Sequence, residues 1–340
     1  MDPFDARTWV RWDSGLYIGI AERGYFIEHC RPESHYPATA WCGYTGWFPG
    51  FSWAMAVLSR LGPSTAAAGA AIAGACHFAT LWMVWNWLLR GRPSRRNLAA
   101  LALSAVFPGG IYYQAVFPVS LFLLCAVGFL RASLRQRWGV AFACAAGAAL
   151  VYGTGVLLAA VGAFWWATQK GAARRPQALL ASAGALLGFA VVLAVQYAQT
   201  GIWNGYFLVQ SHYGYSLTDP LDTLFSRIKP LVNAHYRTPV SAVTAAQTVL
   251  VTVLISCATA QALRSWRSSA ARLVFACTAV YWLLPLIVGG NVSLHRAESL
   301  LLPAIYLVRR SRVGVLLAFT AVAALLSIAT AAAFFRSQIV

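Results

Sequence analysis

Few side chains in this 340-residue chain can do chemistry, and they are unevenly placed. Six of the nine acids (Asp2, Asp5, Asp13, Glu22, Glu28, Glu33) precede residue 34. Asp219 and Asp222 lie in a second polar segment, and Glu298 follows a short polar turn. Asp13 sits in the stretch Arg11-Trp12-Asp13-Ser14-Gly15-Leu16-Tyr17. A single carboxylate at a membrane surface can accept a proton from a hydroxyl. Arg296, with His295 beside it, is a cation at a turn between two apolar runs. An arginine there can hold a phosphate by two parallel hydrogen bonds, while a lipid tail lies against the flanking apolar residues. No Asp-x-Asp occurs, and no Cys/His spacing resembles a zinc site, so neither a metal nor a cofactor is expected.

These residues need elements to position them. A helix over residues 9–23 would put Trp9, Trp12, Leu16 and Ile20 on one face. Asp13 and Tyr17, four apart, would stack one turn above the other on a neighbouring face, with Gly24 as the stop. Such a helix would lie at a membrane surface, its tryptophans in the headgroup layer. The same spacing suits a capped amphipathic helix with a solvated Asp13.

The wording Trp-Asp-Ser-Gly-x-Tyr-x-x-Ile-Ala-x-x-Gly-Tyr, residues 12–25, resembles the first external loop of bacterial GT-C membrane glycosyltransferases. These are relatives of the mannosyltransferase that adds the second mannose to GPI anchors. Trp47-Phe48-Pro49-Gly50-Phe51 is similar to that family's Phe-Phe-Pro-Leu-Tyr-Pro element. Thr200-Gly201 with Gln210, and Arg296 with Pro303, resemble its Thr-Gly-Asp…Gln and Arg-Tyr…Pro elements. The resemblance implies that Asp13 is the catalytic residue. Two positions depart from the pattern. Phe117-Pro118-Val119-Ser120 stands where the family has Tyr-Thr-Glu-Ser, and Tyr152-Gly153-Thr154-Gly155 where it has Arg-x-x-Gly.

Composition sets the class. The chain is 59% hydrophobic and 10% charged, with a mean hydropathy of +0.63, where a soluble domain carries about 25% charge. The expected fold is all-α: a polytopic transmembrane helical bundle, GT-C-like, with about nine crossings (range 8–11) and external loops that carry interfacial helices. The net charge of +17 does not point to nucleic acid. The arginines cluster between apolar runs, at 90–96, 131–137, 174–175, 264–272 and 309–312, as cytoplasmic loops do.

Residues 1–46 read as an external segment, and residues 47–335 as the transmembrane domain with an external loop at 200–238 and an external turn at 289–298. The region around Cys42-Gly43-Tyr44 reads as loop. Pro108-Gly109-Gly110, Tyr152–Gly155 and Pro285 would break helices. With Asp13 outside and Arg90–Arg96 inside, residues 47–89 must hold an odd number of crossings, although their length suits two. Residues 1–46 contain no apolar core of signal-peptide length, whereas the family normally has a span before its Trp-Asp motif. Either the true start lies upstream or the first loop inserts without a leading anchor. Cys30 and Cys42 lie in the external segment, where a disulfide between them would persist.

Moving a sugar from a polyprenyl phosphate to a hydroxyl asks little of a protein: one base, and partners for the phosphate. A single displacement inverts the anomeric centre. The candidates are Asp13 as base, Arg296 and His295 on the donor phosphate, and Tyr17, Gln210 and His212 on the sugar or acceptor. The expected partners are a polyprenyl-phosphate-linked sugar, a glycan, lipid or protein acceptor, and the membrane. The expected place is the inner (plasma) membrane with the site facing the periplasm or exterior. A lipid or small-molecule transporter or flippase, or a non-catalytic membrane partner with the same fold, are the rival readings. Transporters usually carry ionisable groups inside their spans, and these spans are almost free of charge.

Overall fold

The computed structural model describes residues 5–31, 36–169, 176–211, 213–214, 216–289 and 293–339. The chain opens with a 3-10 turn at Ala6–Trp9, followed by α1 (Ser14–Arg23). A two-stranded antiparallel hairpin, β1 (Ile27–His29) and β2 (Trp41–Gly43), pairs Glu28 with Cys42. Helices α2 (Pro49–Ser59) and α3 (Thr65–Met83) come next, α3 running on into a π-helical turn at Val84–Leu88. They are followed by α4 (Arg95–Ala105), α5 (Val119–Leu134), α6 (Trp138–Val151), α7 (Leu158–Ala167) and α8 (Pro176–Thr200). Two short helices, α9 (Gly205–Ser211) and α10 (Pro220–Val232), precede the long pair α11 (Pro239–Arg264) and α12 (Ser269–Val288). The chain ends with α13 (Leu294–Ala297), a 3-10 stretch at Glu298–Ala304, α14 (Ile305–Val308) and α15 (Val313–Phe335).

The protein is a helical bundle of membrane type. Among the described residues, five helices are long and apolar enough to cross a bilayer: Thr65–Leu88, Pro176–Thr200, Pro239–Arg264, Ser269–Val288 and Val313–Phe335. This corrects the expectation of about nine crossings. The remaining apolar runs are cut short, giving helices of 10–17 residues at Val119–Leu134, Trp138–Val151 and Gly153–Ala167, where a full span needs about 20. Gly109, at φ 76°, and the 3-10 turns at 110–113 and 153–157 make the breaks. Pro285 makes none: α12 runs through it to Val288. Between residues 47 and 89 one helix is long enough to cross. The 11 residues of α2 reach only about 16 Å, against a hydrocarbon core of about 30 Å.

Small residues set the closest helix packing, as the Ala-rich faces suggest. A Cβ on Gly184 or Gly188 of α8 would stand 2.3 Å from the carbonyl oxygens of Phe142 and Ala146 on α6. Any larger residue there would push the two helices apart.

Two local expectations are corrected. The helix does not begin before Ser14, because Trp12 takes a left-handed φ of 48° and breaks the run. Trp9 therefore leaves the face of Leu16 and Ile20 and packs edge-on against Phe335, 5.3 Å between ring centres. Trp12 is left exposed. Cys42 and Gly43, read as loop, belong to β2, and the hairpin is closed by a Cys30–Cys42 disulfide with Cα atoms 4.9 Å apart.

Candidate active site

The break at Trp12 decides where Asp13 points. Ser14 Oγ accepts the backbone N–H of Arg11 at 3.2 Å, which tightens the turn leading into α1. Asp13 occupies the N-cap position but makes no side-chain cap bond, so its carboxylate is available to another partner. That partner is Arg296 at the start of the last apolar stretch: Nη1 donates to Asp13 Oδ2 at 2.6 Å. Both side chains are about one-fifth exposed, 19% and 21%. The guanidinium also lies over the Phe117 ring, 5.6 Å from its centre.

The pair faces a cavity of about 570 Å³, a size suited to a small organic ligand. Its lining includes aromatic and polar side chains, from Tyr36, Trp47, Phe48, Tyr206, Gln210 and Tyr213. It also includes apolar ones, from Val156, Leu157, Leu284, Val288 and Leu300. Tyr17 and Tyr152 also line it.

Trp47 and Phe48 belong to a strap over residues 44–48, tied by its own backbone. Gln196 on α8 donates to Thr45 O at 2.8 Å, and Thr45 Oγ1 donates to Gly205 O at 2.9 Å. Tyr25 donates its hydroxyl to Trp47 O at 2.9 Å, and Gln210 donates Nε2 to Gly46 O at 2.8 Å. Pro49 then starts α2 at its first turn, where no N–H is missed. Ser52 Oγ donates to Tyr17 O at 2.8 Å, docking α2 on α1.

Arg296 stays firmly protonated. Burial alone would lower its affinity for the proton, but Tyr152, Asp13 and the hydrogen bond to Asp13 raise it above the ordinary arginine value. Tyr17 is pushed well above the ordinary tyrosine value, chiefly by burial and then by Tyr152 and Asp13. It is therefore a neutral hydroxyl in the cavity wall rather than a base.

The structure brings Asp13, Tyr17, Gln210 and Arg296 to one cavity. His295 is not among the lining residues. Its ring packs against Tyr112, 5.9 Å between centres, because the turn that sends Arg296 toward the cavity sends its neighbour elsewhere. His212 lies outside the described residues. Gln210 has an amide hydrogen committed to the strap, so its role includes wall-building. Tyr206 and Tyr213 belong to the 200–238 loop, whose aromatic content suits sugar stacking, whereas Tyr152 and the buried Gln196 are not read as site residues from the sequence. The available signal for Gln196 was a glutamine pair, Gln196 and Gln199, at the end of an apolar run, since polar side chains there need partners. Tyr152 stands where the resemblance has an arginine. The chain matches no protein-family model and no curated protein.

Proposed function

We propose that this protein is a membrane glycosyltransferase that moves a monosaccharide from a polyprenyl-phosphate donor to an acceptor hydroxyl. Mannose is the sugar the resemblance suggests. The observation that supports this most is the Asp13–Arg296 pair at a cavity lined by both aromatic and apolar side chains. Aromatic faces suit sugar rings, and apolar side chains suit an isoprenoid tail. One carboxylate and one guanidinium supply the base and the phosphate partner that the transfer requires.

In the reaction the acceptor oxygen bonds to C1 of the sugar as the C1–O bond to phosphate breaks. The hydroxyl proton passes to Asp13, and the phosphate leaves with the bonding electron pair. With a single displacement the anomeric centre inverts. Arg296 donates to Oδ2 of Asp13, and a donor phosphate that draws the guanidinium onto itself frees that oxygen for the acceptor proton.

The test is transfer in vesicles carrying the purified protein and a radiolabelled polyprenyl-phosphate sugar. A covalent glycan product is expected. Label that crosses the membrane without forming a product would indicate a transporter. Neither result would leave a non-catalytic partner.

A further inference from the structure

Behind the cavity sits a carboxylate that the proposed reaction does not use. Glu298 is 2% exposed and follows α13 directly. Its Oε2 accepts a 2.7 Å hydrogen bond from Nε2 of Gln247, itself 1% exposed on α11. The same amide nitrogen donates to the carbonyl oxygen of His295 at 2.9 Å. An amide has two N–H donors, and here both are spent on the two ends of one turn, residues 295–298. That turn carries Arg296.

Two further bonds hold the backbone beyond it. Ser299 Oγ donates to Arg296 O at 2.6 Å, and the hydroxyl of Tyr113 donates to Ser299 O at 2.6 Å. A four-residue helix cannot hold its own geometry in isolation, so α13 depends on these outside contacts. Packing alone does not call for a carboxyl group at such a place. Burying it is costly, and burial pushes Glu298 up to about 7 despite its bonds to Thr248 and Gln247 and the nearby Arg227. Gln247 is likewise a polar side chain inside a long apolar helix, where it must find a partner.

We infer that Gln247 and Glu298 form a clamp that fixes the turn bearing Arg296 and so aims its guanidinium into the cavity. They are positioning residues: neither lines the cavity, and they act through Arg296. The inference rests on reading Arg296 as the phosphate partner.

The experiment measures binding of a polyprenyl monophosphate to purified, detergent-solubilised protein, with the thermal midpoint recorded for each variant. Glu298→Gln keeps an acceptor oxygen for the Gln247 amide and should bind within about twofold of wild type. Glu298→Asp withdraws that oxygen by one methylene, and Gln247→Leu removes both bonds. Each should weaken binding on the order of 10-fold in folded protein. A role in stability alone would lower the midpoint and leave the affinity of folded protein unchanged. Folded Glu298→Asp and Gln247→Leu proteins that bind like wild type would overturn the clamp, as would Glu298→Gln binding as poorly as Glu298→Asp. Should Gln247→Leu not fold, the two Glu298 variants decide the matter. Arg296→Ala is the reference arm. If it binds like wild type, the phosphate reading of Arg296 falls and the clamp falls with it, a result distinct from failure of the clamp alone.

Discussion

Arg296 and Asp13, 283 residues apart in the chain, meet at 2.6 Å on the wall of one cavity. Removing one partner of such a pair leaves the other charge uncompensated, and in a buried pair that costs about 3–5 kcal/mol. At one-fifth exposure water relieves part of this cost. Variants at either position should therefore be assayed for folding before activity.

Asp13→Asn keeps the shape of the side chain and an oxygen facing Arg296 but cannot take the acceptor proton. It should lower the transfer rate roughly 10²–10⁴-fold. Donor affinity should hold or rise, since the guanidinium no longer has a carboxylate to leave. Turnover within a few-fold of wild type in the vesicle assay would remove Asp13 from the role of base and make Glu22, Asp219 or Asp222 the next candidate.

Arg296→Ala should lose binding of a polyprenyl phosphate. Arg296→Lys should restore only part of it, because one ammonium cannot make the two-pronged phosphate contact. Equilibrium binding to the purified proteins checks both. Equal affinity across the three would exclude Arg296 from the phosphate site.

Tyr152→Phe should raise KM for the donor while leaving kcat nearly unchanged. Tyr152 lines the cavity and its hydroxyl can hydrogen-bond a bound donor, so its loss removes binding shared by ground state and transition state. A fall in kcat at constant KM would instead place Tyr152 in the chemical step.

The Cys30–Cys42 bridge closes a loop of sequence separation 12. A loop of that length is worth about 3 kcal/mol on the chain-entropy account. The doubly substituted Cys30→Ser/Cys42→Ser protein should show a lower thermal midpoint, and wild type in reductant should match it. Non-reducing peptide mapping should recover the two cysteines as one linked peptide. Two alkylatable thiols before reduction would contradict the bridge.

Glu298 gives stability a pH dependence of definite sign. Its ordinary value of 4.5 is raised to about 7 in the fold, so between these values the folded protein holds a proton that the unfolded chain has lost. Stability is favoured below the lower value and declines as pH rises through the window. The span corresponds to an order of 3 kcal/mol. Thermal midpoints of wild type should fall from pH 5 to pH 8, and Glu298→Gln should flatten that part of the slope. Parallel slopes in the two proteins would mean that Glu298 titrates normally.

Much of this was legible in the sequence, for identifiable reasons. Apolar runs with arginine clusters between them report a helical membrane bundle, because burial in lipid requires runs of apolar residues and internally paired backbone. Gly24 ends α1 and Pro49 starts α2 as their types require. Asp13, Tyr17, Gln210 and Arg296 were marked as site residues before any geometry, and they line one cavity. The number of long apolar helices was not legible. The breaks at Gly109 and Gly153 are legible as glycine-rich interruptions, but apolar runs alone do not tell that the helices at Val119–Leu134, Trp138–Val151 and Gly153–Ala167 stop short of a full span.

Local sequence determined the type of each element and the kind of side chain each could offer. Only the tertiary structure decided which offers meet. Trp12 at a positive φ turned Asp13 away from a helix face and toward Arg296, a partner no local pattern names. The same turn that aims Arg296 at the cavity carries His295 to Tyr112. Gln247, an unremarkable residue in an apolar run, gained its partners from a segment 48–51 residues away. Side-chain period and propensity act over a turn or two of chain. Ion pairs, cavity walls and clamps are made across elements, where the sequence holds no distance.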